Sequence, residues 1–152
     1  MRMDAERFFR TSDYWSAWSE VPDLTADIRY AVRSVRASDG RVLDVPCGRG
    51  RLLKAIRQLA PAAHLFGLDV NTNMVAQVLR DLPDVRVQVA SVYAIPFRDR
   101  SFDAVLCHES FMHFNDPHAA LGELCRVSRD RVYFSVTTRR QLNTLLRKIG
   151  LL

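Results

Sequence analysis

Two glycines and two aspartates carry the sharpest chemical signal in this 152-residue chain. Val42-Leu-Asp-Val-Pro-Cys-Gly-Arg-Gly-Arg-Leu52 places Gly48 and Gly50 in a turn between an apolar run and a helical pattern. Glycine removes the Cβ that would keep a ligand away from the backbone. The start of the helix behind it offers N–H groups to a carboxylate. Asp69 follows Gly50 by nineteen residues and closes the next apolar run. An acid there is placed to accept hydrogen bonds from ribose hydroxyls. A nicotinamide-dinucleotide fingerprint needs a third glycine, but position 53 is leucine, and Asp44 inside the strand is foreign to that pattern.

His108, Glu109 and His113 form the second group. A zinc motif of the H-E-x-x-H type sets its histidines four apart on one helical face. Here they are five apart and Met112 holds the needed place, so no metal is expected. The three cysteines, Cys47, Cys107 and Cys125, contain no C-x-x-C pair. That fits neither a disulfide framework nor a zinc site and points to a reducing, cytoplasmic compartment. Cys47 and Cys107 read as small packing residues rather than nucleophiles.

Composition narrows the classes further. Hydrophobic residues make up 48% and charged residues 26%, which suits a folded globular chain and not a disordered one. No apolar run reaches the roughly 18 residues of a membrane span, and residues 1–10 do not read as a secretory signal. The net charge is +5, yet the basic residues are scattered and no run of five like charges occurs. A nucleic-acid partner is therefore not expected.

Several elements must position these residues. Residues 1–40 read as helical, with Phe8, Phe9, Tyr14, Trp15 and Trp18 crowded together and a second helix opened by Pro22. Strands are expected at 41–45, 64–68, 85–90, 102–107 and 131–136. Helices are expected to carry Leu52 to Leu59, then Met74 to Leu79 after a Thr72 cap, then Leu121 to Val127 after Asp116-Pro117, and finally residues 139–152. Strand and helix alternate over connections too long for hairpins, so the expected class is α/β with a doubly wound, mostly parallel sheet.

These stretches resemble class I S-adenosylmethionine-dependent methyltransferases, in the branch that includes the ubiquinone/menaquinone-biosynthesis type. Val42–Leu52 is similar to the family's first motif, V-L-D-x-G-C-G-x-G. Gly67-Leu-Asp-Val70 matches its second strand end. Ile95-Pro-Phe-Arg-Asp-Arg-Ser-Phe-Asp-Ala-Val105 resembles L-P-F-x-D-x-S-F-D-x-V, and Leu121-Gly-Glu-Leu-Cys-Arg-Val127 resembles its L-x-E-x-x-R-V helix. The likeness runs from about Arg41 to Val136. It implies a Rossmann-like sheet in the order 3-2-1-4-5 and methyl transfer from S-adenosylmethionine to a small-molecule acceptor, leaving S-adenosylhomocysteine.

The resemblance also implies roles. Asp44 orients the loop and reaches the methionine amino group. The backbone at Pro46, Cys47, Gly48 and Gly50 faces the methionine moiety. Asp69 holds the ribose, with Val70 and Met74 near the adenine, and Ser91 and Val92 bracket that ring. Cys107 lies near the sulfonium, and His108, Glu109 and His113 are candidate catalytic residues by location. Phe8 to Trp18 sits where relatives form a lid. There are departures: Pro46 replaces a glycine and removes an N–H donor, Ser91 replaces a commoner acid, and Ser128-Arg-Asp130 replaces a Pro-Gly-Gly turn. Cys107-His-Glu-Ser110 also lacks the N/D-P-P-Y/F motif of DNA- and amine-directed members.

The chain reads as one domain, with a lid segment at 1–40, a cofactor core at 41–138 and a helix at 139–152. Relatives continue to a sixth and seventh strand, so this chain reads as a five-strand version or a fragment. Its fifth strand is then an exposed apolar edge, which the last helix covers or a second copy pairs with in a homodimer. The contrasting expectation is a non-catalytic or partner-dependent protein that keeps the fold.

Overall fold

In the computed structural model, alternating strands and helices build one five-stranded parallel sheet in the order β3-β2-β1-β4-β5. The structure describes residues 5–11, 25–136, 143 and 147. The elements are α1 (Ala5–Thr11), α2 (Ala26–Val32), β1 (Arg41–Asp44), α3 (Arg51–Leu59), β2 (His64–Asp69), α4 (Thr72–Asp81), β3 (Arg86–Val89), β4 (Phe102–Cys107), α5 (Pro117–Val127) and β5 (Ser128–Phe134), with a 3-10 turn at Phe111–His113. The fold is the expected Rossmann-like one.

The period-two alternation of each strand splits its side chains between two apolar layers. Val42, Leu65, Ala104 and Leu106 pack on one face with Ile28 of α2, Leu53 and Ile56 of α3, and Val78 of α4. Leu43, Phe66, Val105 and Cys107 pack on the other with Leu124 and Val127 of α5. Both faces are covered, which is why β1 and β4 read as nearly unbroken apolar runs. β1 lies between β2 and β4, with Asp44 level with Gly67 and Leu106. The strand order reverses there, and in such sheets ligands sit beyond the carboxyl ends at that point.

Gly67 allows the layers to close. A Cβ on it would lie 3.0 Å from Cys47 Sγ and 3.1 Å from both Leu53 Cδ1 and Val87 Cγ2. The glycine therefore lets the loop after β1 and the start of α3 settle against β2.

Local readings differ from the sequence in several places. The cap of α4 is Asn71, not Thr72: its amide oxygen accepts from the N–H groups of Asn73 at 2.9 Å and Met74 at 3.3 Å. β3 is shorter than expected, Arg86–Val89. β5 begins three residues early, at Ser128. Arg129 and Asp130 look like turn residues, but a bulge absorbs them: Phe102 pairs with Ser128 and Ala104 with Arg131. Among the described residues the second helix is α2, which ends at Val32 and leaves Val35 outside it. The expectations placed on Tyr14, Trp15, Trp18, Pro22 and the helix over 139–152 lie outside the described residues, apart from Asn143 and Arg147.

Candidate active site

A cavity of about 570 Å³ opens beyond the carboxyl ends of β1, β2 and β4. That volume falls within the roughly 300–1,000 Å³ usual for small-molecule sites. The turn after β1 contributes Pro46, Cys47 and Gly48 to its wall. Gly48 has φ +50°, a left-handed conformation that favours glycine, and a Cβ there would meet nothing within 4 Å. Gly50 is also left-handed at φ +77°, but it stands off the cavity wall. Its added Cβ would sit 3.1 Å from Val78 Cγ2, so its role is to let α3 begin against α4.

The turn holds its shape with its own N–H groups. Cys47 donates to Leu68 O at 2.7 Å, Gly50 to Cys47 O at 2.9 Å, and Gly48 to Asp69 Oδ2 at 2.8 Å. Asp69 Oδ1 accepts from Asn71 N at 2.8 Å. One buried carboxylate thus ties the loop after β1 to the loop after β2. Burial raises the Asp69 carboxyl, and the N–H groups of Asn71, Gly48 and Val70 offset that only in part.

Asp44 is the counterpart without such support. It is 2% exposed, it stands on the cavity wall, and its Oδ1 has no hydrogen-bond partner. Burial, then the charge of Asp69, push its carboxyl well above the ordinary range. A buried carboxyl oxygen with no partner carries a desolvation penalty that a bound donor or cation would remove.

Around this acidic pair the wall is apolar. Val70, Met74 and Val92 line it, together with Ala90 and Tyr93. Tyr93 was not singled out in the sequence. Ser91 does not join them: its Oγ accepts from Tyr93 N at 3.1 Å, which turns the hydroxyl back on its own loop. Cys107 does not reach the wall either. It is fully buried in the second apolar layer, off the wall. Burial raises the thiols of Cys47 and Cys107, so both stay protonated.

The far side of the cavity carries His108, Glu109 and His113, all on the wall. His108 Nε2 lies 3.1 Å from Asp27 Oδ2 of α2. Burial acts to raise Asp27, but hydrogen bonds with Thr25 and His108 outweigh it and hold the carboxyl below its usual range. An ionised Asp27 requires a proton on Nε2. Arg51 donates to Thr25 Oγ1 at 3.1 Å, so the start of α2 is tied to both the glycine turn and the end of β4. Asp27, His108 and Glu109 bring donor atoms within 4.8 Å of one another, a grouping in which Asp27 takes the place His113 held in the sequence pattern. Half-burial lowers the His113 imidazole and favours its neutral form. Phe9 of α1 stacks edge-on to His113 at 5.3 Å, lines the cavity and accepts from Asn71 Nδ2 at 2.8 Å. Thr25 precedes and Asp27 opens a helix that reads from sequence only as apolar packing, and a contact across 81 residues leaves no local signal.

A family model described as a methyltransferase domain matches residues 43–136. The chain belongs to the methyltransferase-domain family. Among its relatives, the demethylmenaquinone methyltransferase of Thermus thermophilus is 36% identical over 110 residues, covering 67% of this chain and 50% of that one. The O-methyltransferase rstn1 of Aspergillus nomiae is 35% identical over 114 residues, covering 70% and 48%. This methyltransferase-domain chain spans about half the length of the curated relatives it matches. Among solved structures, a Haloferax volcanii methyltransferase in complex with the Trm112 activator superposes with a TM-score of 0.71 at 28% identity, over 83% of this chain and 59% of that one. The plantazolicin methyltransferase BpumL shares the fold at a TM-score of 0.69 and 16% identity, over 97% of this chain and 67% of that one.

Proposed function

We propose that this chain binds S-adenosylmethionine in the cavity and transfers its methyl group to a small-molecule acceptor. One observation carries the reading: a buried acidic pair, Asp69 and Asp44 with its unpartnered oxygen, stands beside an apolar wall at the switch point of the sheet. The cofactor has the matching parts, an ammonium, ribose hydroxyls and a flat base. Asp44 would meet the ammonium and Asp69 the ribose, with Val70, Met74, Val92 and Tyr93 against the adenine.

The cofactor supplies a methyl group already activated on a sulfonium. The protein's own work is to place the acceptor in line and keep water out. Phe9, Met112, His113 and Phe114 line the cavity on the side of His108 and would shelter the acceptor. His108, Glu109 and His113 stand where an acceptor's proton would be received. Phe9 on the cavity wall supports reading α1 as part of a lid. The reduced thiols Cys47, Cys107 and Cys125 support a cytoplasmic location.

Calorimetric titration with S-adenosylmethionine and S-adenosylhomocysteine tests the cofactor reading. Saturable one-to-one binding is expected, and no heat at millimolar ligand would overturn it. A second reading is a partner-dependent enzyme, supported by the structural neighbour solved with an activator. Binding of the cofactor without turnover of an acceptor panel, restored by an added partner protein, would favour it.

A further inference from the structure

We propose that Asp44 holds a proton in the free chain and releases it to solvent when a ligand's ammonium group enters the cavity. This rests on the cofactor reading above and adds a proton to its binding equilibrium. On binding, the O–H bond of Asp44 breaks, the proton leaves to buffer, the electron pair stays on oxygen, and carboxylate and ammonium form an ion pair.

The geometry distinguishes the two acids. Asp69 accepts backbone N–H groups on both oxygens, which favour its anion. Asp44 Oδ1 accepts none. Two buried carboxyls in one site do not both ionise easily, and the one without donors keeps the proton. The groups around Asp44 reinforce this. Asp69 on β2 repels its anion. Cys47 on the turn and Cys107 on β4 are buried neutral thiols. Arg51 at the start of α3 donates to Thr25, and His108 at the end of β4 pairs with Asp27 of α2. Among the described residues, no cation or hydrogen bond offsets burial and Asp69. An incoming ammonium is the group that would reverse the balance.

The test titrates S-adenosylhomocysteine into the full chain at pH 7 in phosphate, HEPES and Tris, whose ionisation heats differ. The observed enthalpy should vary linearly with buffer ionisation heat, with a slope of about one proton released per ligand. Affinity should tighten about tenfold per pH unit while Asp44 remains protonated in the free chain. Asp44→Asn should bind more weakly with a slope near zero. 5′-Methylthioadenosine, which lacks the ammonium, should also give a slope near zero. A flat slope for the homocysteine ligand, or an equal slope for 5′-methylthioadenosine, overturns the proposal. Infrared difference spectra supply a measurement without ligand. A protonated-carboxyl band present in the unsubstituted chain and missing in Asp44→Asn is expected; its absence overturns the proposal even if no ligand binds. Failure to bind in calorimetry, with that band present, would instead count against the cofactor reading.

Discussion

Asp44 is costly to the fold, and the sign can be worked out. Its folded carboxyl lies well above the ordinary value of 3.8, so above that pH the folded chain holds a proton that the unfolded chain has lost. Stability from this group therefore falls as pH rises from about 4 toward the raised folded value. Asp44→Asn removes the titration. Its melting temperature should exceed that of the unsubstituted chain by a gap that widens as pH rises above about 4 toward the raised folded value, even as ligand affinity falls. A gap independent of pH would show that the ionised Asp44 is held by a partner within the fold. Asp69 behaves differently, because its oxygens hold two loops. Asp69→Ala leaves the Gly48 and Asn71 N–H groups without their acceptor and should cost about 2 kcal/mol in urea unfolding, together with loss of nucleoside binding. An unchanged unfolding midpoint would show that the turn is held by its other bonds. Asp44, Asp69 and Gly48 were legible in the sequence because residue type alone restricts them: a positive φ favours glycine, and a buried acid at a strand end needs a reason. Gly50 shows the limit, since the same residue type served packing against Val78. Ser91 and Cys107 show another, since hydrogen-bond direction and burial depth are set by neighbours distant in the chain.

One side chain of α5 fixes the long connection between β3 and β4. Arg126 donates to Ile95 O at 2.9 Å, to Phe97 O at 2.8 Å and to Asp99 Oδ1 at 2.8 Å. It also bonds Glu123 at 2.6 and 2.9 Å, and Glu123 accepts from Ile95 N at 2.8 Å. Glu123 is held below the ordinary carboxyl range, first by the Arg126 hydrogen bond. The same connection delivers Tyr93 to the cavity wall and Tyr93 Oη to the Asp116 N–H. Two carbonyls would lose a charged donor in Arg126→Ala, so a loss of about 2–3 kcal/mol is expected in urea unfolding. Arg126→Lys should recover less than half, because an ammonium cannot reproduce the planar fork. Full recovery by lysine would reduce the clamp to simple charge pairing with Glu123 and Asp99. At this scale the sequence was readable where periodicity is strong. β1, β2 and β4 and the helices between them follow from apolar runs and caps. It misled at β5, where Arg129 and Asp130 imitate a turn that the bulge opposite Phe102 and Ala104 makes unnecessary.

The order β3-β2-β1-β4-β5 leaves two edges among the described residues, and they differ in character. β3 ends the sheet with Arg86, Gln88 and an exposed Val89, short and interrupted by polar groups. Such an edge resists pairing with another chain. β5 has seven residues, of which Arg131 to Phe134 are only half-buried, and Val132 and Phe134 lie against the second apolar layer. A long edge with apolar flanks is a template for an added strand. The matched stretch is about half of each of these curated relatives. For this chain we predict that the edge is satisfied by pairing between two copies. Sedimentation should show a monomer–dimer equilibrium that shifts with concentration. Amide exchange within Arg131 to Phe134 should slow as concentration rises, while exchange in β3 stays constant. The cavity lies at the carboxyl ends of β1, β2 and β4, so dimerisation should leave S-adenosylhomocysteine affinity unchanged between dilute and concentrated samples. A monomer at every concentration with fast exchange along β5 would refute edge pairing. Slow exchange in a strict monomer would do so as well, because the edge would then be covered by the chain's own residues.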